Sequence, residues 1–127
     1  MKQLKIALLI CTLIPSIANA DFPAGQWTNE FYSEIDGKYY KHYFCIKQDG
    51  TWFGTSYGGN GYWFMKGNDI HLNGKHTQIN MKEAYELTKV NSKLLTGYVQ
   101  QWLDDGSYSD YYTTKWTFTS ATCAAPY

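Results

Sequence analysis

Turn-forming residue pairs recur along the chain after residue 30, and they constrain its fold more than any other feature. Glycine, asparagine and aspartate adopt positive φ at low cost, so these pairs reverse the chain between neighbouring strands. The segments between them are rich in aromatic and β-branched residues, which favour strands. The pattern therefore predicts consecutive antiparallel hairpins. The turns are Asp36-Gly37, Asp49-Gly50, Gly58-Gly59-Asn60, Gly67-Asn68, Asn73-Gly74, Asn91-Ser92 and Asp105-Gly106.

The segments between the turns predict an all-β fold of eight or nine short strands. Such a meander remains an open sheet or closes on itself, and closure removes the exposed edges. A barrel of about eight strands is either filled by large side chains or holds one small ligand. We predict an antiparallel up-and-down meander of about eight strands that closes into a small barrel. The predicted strands are 26–32, 39–48, 51–57, 61–66, 69–72, 75–82, 84–90, 93–103 and 108–119.

The first twenty residues have the pattern of a secretory signal peptide. Lys2 and Lys5 precede an apolar stretch at 6–17, and Ala18-Asn19-Ala20 fits the small-x-small cleavage site. The apolar stretch is too short to span a bilayer. We therefore predict an exported protein, periplasmic or secreted, with residues 1–20 removed and residues 21–127 forming one β-barrel domain without a membrane span.

Cysteine usage agrees with export. A lipoprotein cut before Cys11 is a competing interpretation, but that cut needs a small residue where Ile10 stands. Cleavage at residue 20 leaves Cys45 and Cys123, and two cysteines in an exported chain normally form a disulfide. Their spacing lacks the C-x-x-C character of redox-active pairs. We predict a structural disulfide between them.

The charge pattern argues against nucleic acid as a partner. All eleven basic residues are lysines, and the chain contains no arginine. Removal of the leader leaves nine lysines against eleven carboxylates, a net charge of −2. Surfaces that bind nucleic acid normally combine arginine forks with a clear positive excess. We predict no nucleic-acid partner.

Three stretches resemble the calycin group of up-and-down barrels, which includes small bacterial lipocalin-like domains. They are "AGQW", "CIKQDGTWFGTSYGGNGYWFMKGNDIHL" and "YELTKVNSKLLTGYVQQW". The resemblance implies that Trp27 closes one end of the barrel and that a basic residue of the last strand packs over it. Lys115 in "TTKWTF" occupies the matching position, where the family more often has arginine. A lysine over an indole forms a cation–π contact. The resemblance further implies non-catalytic binding in the barrel or at its open mouth.

Two of the three histidines flank the Asn73-Gly74 pair. A two-residue type I′ turn there pairs His71 with His76 across the hairpin, about 5 Å apart at Cβ. With Asp69 nearby, the pair offers ligands for a divalent metal, but two histidines on a solvated face make a weak site. We predict a solvated cross-strand pair and no metal site.

Motifs of catalysis are absent from the sequence. It lacks a Gly-x-Ser-x-Gly elbow, a His-Glu-x-x-His helix motif and a glycine-rich phosphate loop. Asp104, Asp105 and Asp110 surround a turn, but their spacing differs from that of an EF-hand loop, so we predict a solvated turn. The chain is predicted to be no enzyme and to need no cofactor.

Aromatic residues provide the main indication of function. The chain contains 12 tyrosines, 6 phenylalanines and 5 tryptophans, and several strands carry aromatics on both faces. Those that point outward would suit a binding surface, because exposed tyrosine and tryptophan anchor interfaces. The alternative is that the excess packs under loops and chain ends. The predicted binding residues are Tyr39, Tyr43, Trp52, Tyr57, Trp63 and Tyr111.

The register at Asp49-Gly50 stays open on sequence alone. A two-residue turn pairs Ile46 with Phe53 and directs Phe53 inward, whereas a three-residue turn with a bulge pairs Ile46 with Trp52. The second register places Trp52 in the core.

Two functions fit these features, and we expect a monomer. The first is an exported lipocalin-like barrel that takes a small, partly apolar ligand or a partner at its mouth. The second is a periplasmic inhibitor or immunity protein that blocks a hydrolase or toxin through an aromatic-rich surface. A barrel packed solid with aromatic rings would favour the second function.

Overall fold

The computed structural model describes residues 24–33 and 36–127; the predicted leader lies outside the described residues. The described chain forms eight antiparallel strands in sequence order, and pairing of the first strand with the last closes the barrel. This confirms the predicted all-β, up-and-down architecture. Within the described ranges, no helix is long and apolar enough to cross a bilayer. The strands are β1 (Gly25–Ser33), β2 (Lys38–Ile46), β3 (Thr51–Gly54), β4 (Gly59–Lys66), β5 (Asp69–His76), β6 (Met81–Asn91), β7 (Leu94–Leu103) and β8 (Ser109–Ser120).

The barrel has two ends that differ in the side chains they enclose. At the lower end, tight turns join β2 to β3, β4 to β5 and β6 to β7. The connections after β1, β3, β5 and β7 lie at the opposite end, which we call the mouth. Polar groups gather inside the mouth, whereas the lower half of the interior is apolar.

Stacked aromatic rings and aliphatic side chains fill the lower half. The Phe44 ring stacks on Trp116 with centroids 4.6 Å apart, and it meets Trp52 edge-on at 5.4 Å. Full burial of such rings contributes about 1.5–3 kcal/mol each, so this half is the main hydrophobic core. Its buried members are Trp27, Phe44, Ile46, Trp52, Ile70, Leu72, Leu87, Leu95 and Trp116.

The Asp49-Gly50 turn adopts the second of the two registers considered. Ile46 pairs with Trp52, and Gly50 has a φ of 89°, as the left-handed position of a three-residue hairpin loop requires. The register directs Trp52 into the core, where it is fully buried. Its predicted role as a contact residue is therefore wrong, because no partner can reach the indole.

The predicted hairpin at Asn73-Gly74 is also wrong. β5 runs unbroken through this pair, and the chain turns later, at 77–80. Gly74 pairs with Gly61 on β4, and a Cβ at Gly74 would lie 2.4 Å from the Trp52 ring. The glycine therefore makes room for an indole and does not turn the chain. His71 and His76 consequently belong to one strand and do not face each other across a hairpin.

The predicted disulfide is confirmed. Cys45 and Cys123 are bonded, with their Cα atoms 5.5 Å apart. The bond holds the chain after β8 against the outside of β2, and in the chain-entropy model a loop of this length contributes about 4 kcal/mol. A hydrogen bond also holds the chain after β8: the Ala124 N–H donates to Gln26 Oε1 at 3.0 Å.

The predicted contact between Lys115 and Trp27 is absent. Trp27 is fully buried inside the barrel, whereas Lys115 is exposed on the outer face of β8, in register with Glu30 and Thr96. The two side chains lie on opposite sides of the sheet, because inward residues of β8 alternate as 114, 116 and 118. Phe118 is the last-strand residue that packs on the indole, edge-on at 5.4 Å.

Candidate functional site at the barrel mouth

A buried carboxylate is the central feature of the mouth. Glu83 points inward from β6 in phase with Tyr85 and Leu87, and only 1% of its surface is exposed. The Tyr57 hydroxyl donates to both carboxylate oxygens, at 2.9 and 3.0 Å, and the Tyr85 hydroxyl donates to Oε2 at 2.8 Å. Burial raises the pKa of Glu83, while the tyrosine hydrogen bonds act in the opposite direction.

A glycine-rich connection places Tyr57 inside the barrel. β3 ends at Gly54, and the chain folds back over residues 55–58 before β4 begins. A Cβ at Gly54 would lie 2.4 Å from the Tyr57 carbonyl oxygen, and one at Gly59 would lie 2.6 Å from the Tyr57 ring. The "GTSYGG" stretch therefore packs around its own tyrosine, which completes the mouth where β3 is too short to do so. Burial raises the pKa of Tyr57 well above its ordinary value, and the adjacent Glu83 charge adds to this effect.

Two histidines flank the Tyr57 ring. His42 from β2 meets it edge-on with centroids 4.9 Å apart, and His76 from β5 lies 4.1 Å away at a tilt. His76 Nε2 is 3.5 Å from Glu83 Oε1. This contact is an ion pair only when His76 is protonated, and burial opposes that state by lowering the pKa of His76. The pKa of His42 is also lowered, first by burial and then by repulsion from His76.

A second polar group closes the mouth from β8. The Tyr112 hydroxyl donates to Asp110 Oδ2 at 2.7 Å and lies 2.9 Å from the Tyr108 hydroxyl. Hydrogen bonds from the Tyr112 hydroxyl, the Tyr111 N–H and the Tyr108 hydroxyl lower the pKa of Asp110. The Tyr112 ring packs on Phe31 with centroids 5.5 Å apart, which joins this group to the histidine side of the mouth.

The space left between these groups is very small. The enclosed cavity has a volume of about 10 Å³, which is room for about one water molecule. The structure therefore has a filled interior, apolar in the lower half and plugged by polar side chains at the mouth. The cavity of about 10 Å³ is lined by Phe31, His42, Tyr57, His76, Tyr85, Val99, Gln101 and Tyr112.

The arrangement limits the chemistry of the mouth. Residues 24–33 and 36–127 contain no group of three or more metal-ligating side chains placed to hold a metal ion. Glu83 and His76 are an acid and a base within reach of each other, but a cavity of about 10 Å³ leaves no room for an organic substrate beside them. In this conformation the mouth can hold a proton or a water-sized molecule.

Outside the barrel, tyrosines form a continuous surface on β7, β8, β1 and β2. Tyr98 stacks on Tyr111 with centroids 5.2 Å apart, and Tyr32 packs on Tyr39 at 5.0 Å. Thr113 lies between the two pairs, in register with Tyr98. We call these five residues the tyrosine face. A shallow groove of about 430 Å³ runs along one side of this face, where Tyr32, Tyr39 and Thr113 line it together with Glu30 and Lys115.

The predicted binding residues divide among four places, one of which is the core, where Trp52 is buried. Tyr39 and Tyr111 belong to the tyrosine face, 69% and 60% exposed, and Tyr43 lies on the same outer side of β2. Tyr57 lines the mouth. Trp63 packs half-buried against the core, and its Nε1 donates to the Lys47 carbonyl at 2.7 Å. The structure thus does not gather the six residues at one site, and Tyr39 and Tyr111 belong to separate ring pairs on the outer surface.

Glu83, His42 and His76 were not predicted as a site. Glu83, Tyr85 and Leu87 occupy alternate positions of one strand, so the sequence alone indicates that the Glu83 carboxylate points toward the core. Its neighbours are not visible in this way, because they come from β2, β5 and the β3–β4 connection, and barrel closure brings these elements together. The mispredicted hairpin placed His76 outside the barrel.

Comparison with known proteins gives no family for this chain. No protein-family model matches it, and no curated protein has a similar sequence. The family-level interpretation therefore rests on the closed antiparallel barrel of eight strands, which is compatible with a small calycin-like domain.

Proposed function

We propose that this chain is an exported, non-catalytic, lipocalin-like binding protein whose partner is a protein of the cell envelope, bound at the tyrosine face. The observation that carries the proposal is the filled interior: the mouth cavity measures about 10 Å³, far below the 300–1,000 Å³ typical of ligand pockets. A barrel without room for a ligand binds through its outer surface.

The composition of the tyrosine face supports a protein partner. Tyrosine provides large, rigid and amphipathic contact area at low entropic cost, and binding surfaces combine it with small hydroxyl residues. Tyr32 and Tyr98 already pack against Tyr39 and Tyr111, so little side-chain freedom is lost on binding. Glu30 and Lys115 lie beside the face and supply one charge of each sign for orientation.

Export is the part of the proposal that the disulfide supports. Disulfides persist in oxidising compartments, and the Cys45–Cys123 bond agrees with the predicted signal peptide. An inhibitor of an envelope hydrolase, or an immunity protein against a delivered toxin, needs this combination of export, a stapled scaffold and a rigid aromatic surface.

A capture experiment tests the proposal. The mature protein is immobilised and exposed to envelope extract of the native organism, alongside the double variant Tyr39→Ser/Tyr111→Ser. We expect the wild type to recover one protein in stoichiometric amount and the double variant to recover at least about tenfold less, because central interface tyrosines are frequent hot spots.

The matched control is Tyr62→Ser, since Tyr62 is 73% exposed but lies on β4, away from the tyrosine face. It should recover the partner like the wild type. Equal recovery by the double variant would remove the tyrosine face from the proposal. If native mass spectra showed a co-purifying small molecule and no protein partner, the proposed protein-binding function would give way to the small-ligand function.

A further inference from the structure

The two mouth histidines are held in a setting that disfavours their charged forms. The His42 ring lies between Phe31 and Tyr57, with centroids 5.4 and 4.9 Å away. Within the described part of the chain, Nδ1 of both His42 and His76 is buried without a hydrogen-bond partner. The adjoining cavity has room for about one water molecule, so a protonated ring there has fewer water contacts than in solution.

Only one of the histidines has a carboxylate beside it. His76 Nε2 lies 3.5 Å from Glu83, so a proton on His76 gains a counter-charge. Among the described residues, His42 takes part in no salt bridge, and its ring neighbours are Phe31 and Tyr57. The remaining titratable groups that face the cavity are Tyr85 from β6 and Tyr112 from β8, the latter bonded to Asp110; β7 contributes only the uncharged Val99 and Gln101.

Acidification therefore acts on the two histidines differently. The first proton is accommodated at His76, next to Glu83. A second proton at His42 would lie beside a charged His76, next to a cavity with room for about one water molecule and without a carboxylate at the His42 ring. The closed mouth therefore disfavours this doubly protonated state, and opening of the mouth to solvent would relieve it.

We propose that the mouth is a pH-operated gate that opens when His42 is protonated in mildly acidic conditions, while the lower half of the barrel stays folded. The gate exposes the cavity lined by His42, His76 and Tyr57. It is a regulatory device separate from the tyrosine face.

The β3–β4 connection is the part of the wall that would move. β3 has four residues, whereas the other strands have eight to twelve. The connection carries Tyr57. Two hydrogen bonds hold it to β2, from Thr55 N–H to the Tyr43 carbonyl at 2.8 Å and from Tyr43 N–H to Ser56 Oγ at 3.0 Å. Side-chain hydrogen bonds add one contact to β1, from Gln26 Nε2 to Thr55 Oγ1 at 2.8 Å, and one to the β5–β6 connection, from Thr77 Oγ1 to the Gly58 carbonyl at 2.8 Å. Displacement of this segment would uncover both histidines. It would also remove the Tyr57 ring from the edge of Phe44, 5.5 Å away, but the contacts of Phe44 with Trp52 and Trp116 do not involve the segment.

Amide hydrogen exchange read by NMR on the intact mature protein tests the gate. Between pH 7.5 and pH 5, we expect protection factors at 55–59 and 76–83 to fall by about tenfold or more, and those at Trp27, Ile70 and Leu87 to stay constant. The fall should follow the protonation of His42, measured from its ring C–H resonances in the same samples.

Two variants complete the test. His42→Phe keeps an aromatic ring between Phe31 and Tyr57 but cannot be protonated, so the mouth should stay protected at pH 5. His71→Gln, at the histidine outside the barrel, should behave like the wild type. Constant mouth protection while His42 becomes protonated in the wild type, or the same loss of protection in His42→Phe, would overturn the proposal. The wild-type arm decides the question even if His42→Phe fails to fold.

Discussion

The two halves of the barrel interior are built from the same strands but are stabilised by different interactions. In the lower half, Phe44, Trp52 and Trp116 pack ring against ring and bring no charge into the core. At the mouth, Glu83 is buried between two tyrosines and His76 lies half-buried beside it, and the protonation states of both depend on pH. Apolar packing is almost indifferent to pH, whereas a buried acid and base are not. Stability and responsiveness are therefore separated along the barrel axis.

The largest expected effect lies in the lower half, at Phe44. Its ring contacts four other aromatic rings, those of Trp52, Trp116, Tyr57 and Tyr85. Phe44→Ala should lower the free energy of unfolding by about 3–5 kcal/mol, because it removes buried apolar area and leaves a cavity. Urea unfolding followed by tryptophan fluorescence measures this.

Tyr62→Ala is the surface control for Phe44→Ala and should change stability by less than about 0.5 kcal/mol. A loss near about 1 kcal/mol for Phe44→Ala would mean that the lower half relaxes around the gap. The contrast between a rigid lower half and a responsive mouth would then have to be given up.

A smaller effect is expected at Gly74, where the lower half borders the mouth. A Cβ there would lie 2.3 Å from the Asn60 carbonyl oxygen and 2.4 Å from the Trp52 ring. Gly74→Ala should destabilise the fold by about 1–3 kcal/mol through overpacking. Thermal and urea unfolding measure the change, and Asn73→Ala, at the exposed neighbour on β5, is the control expected to stay within about 0.5 kcal/mol. Equal tolerance of both substitutions would contradict the packing of Trp52 over this glycine.

The same glycine marks where sequence reasoning stops. Asp49-Gly50 is predicted to form a turn and does so. The turn needs a positive φ at Gly50, and glycine is the residue type that adopts it at low cost, so the two residues alone predict the turn. Asn73-Gly74 has the same local signature, yet Gly74 is small because an indole from β3 lies over it. Such a requirement comes from a strand that is not adjacent in sequence, so no local pattern contains it.

The candidate site also depends on strands that are distant in sequence. The barrel, the disulfide and the exposure of Tyr39 and Tyr111 follow from alternation, turn chemistry and cysteine count, which are properties of short segments. The mouth depends on how far neighbouring strands are staggered around the closed barrel, and this stagger brings His42 and His76 to the same tyrosine. Hydrophobic periodicity does not fix that stagger.

The smallest expected effect is at Glu83, where a substitution should change how the free energy of unfolding varies with pH. Burial raises its pKa above the ordinary value of 4.5, so the folded state binds the proton more tightly than the unfolded chain does. This contribution to stability is present below pH 4.5 and is lost as the pH rises through the raised pKa. Each tenfold increase in proton affinity on folding corresponds to about 1.4 kcal/mol of stability.

Glu83→Gln should remove this loss, because glutamine does not ionise. Urea unfolding of wild type and variant from pH 3.5 to pH 7 measures the difference in stability, which should move in favour of the variant as the pH rises. His42 is common to both proteins, whereas His76 loses its counter-charge in the variant. Protonation of His76 then costs the variant more stability as the pH falls, which changes the difference in the same direction. A constant difference across the range would mean that Glu83 ionises in the folded protein as it does in the unfolded chain. Glu86→Gln, on the outer face of the same strand, is the matched control: a change of slope in that variant as well would assign the effect to net charge and not to burial at the mouth.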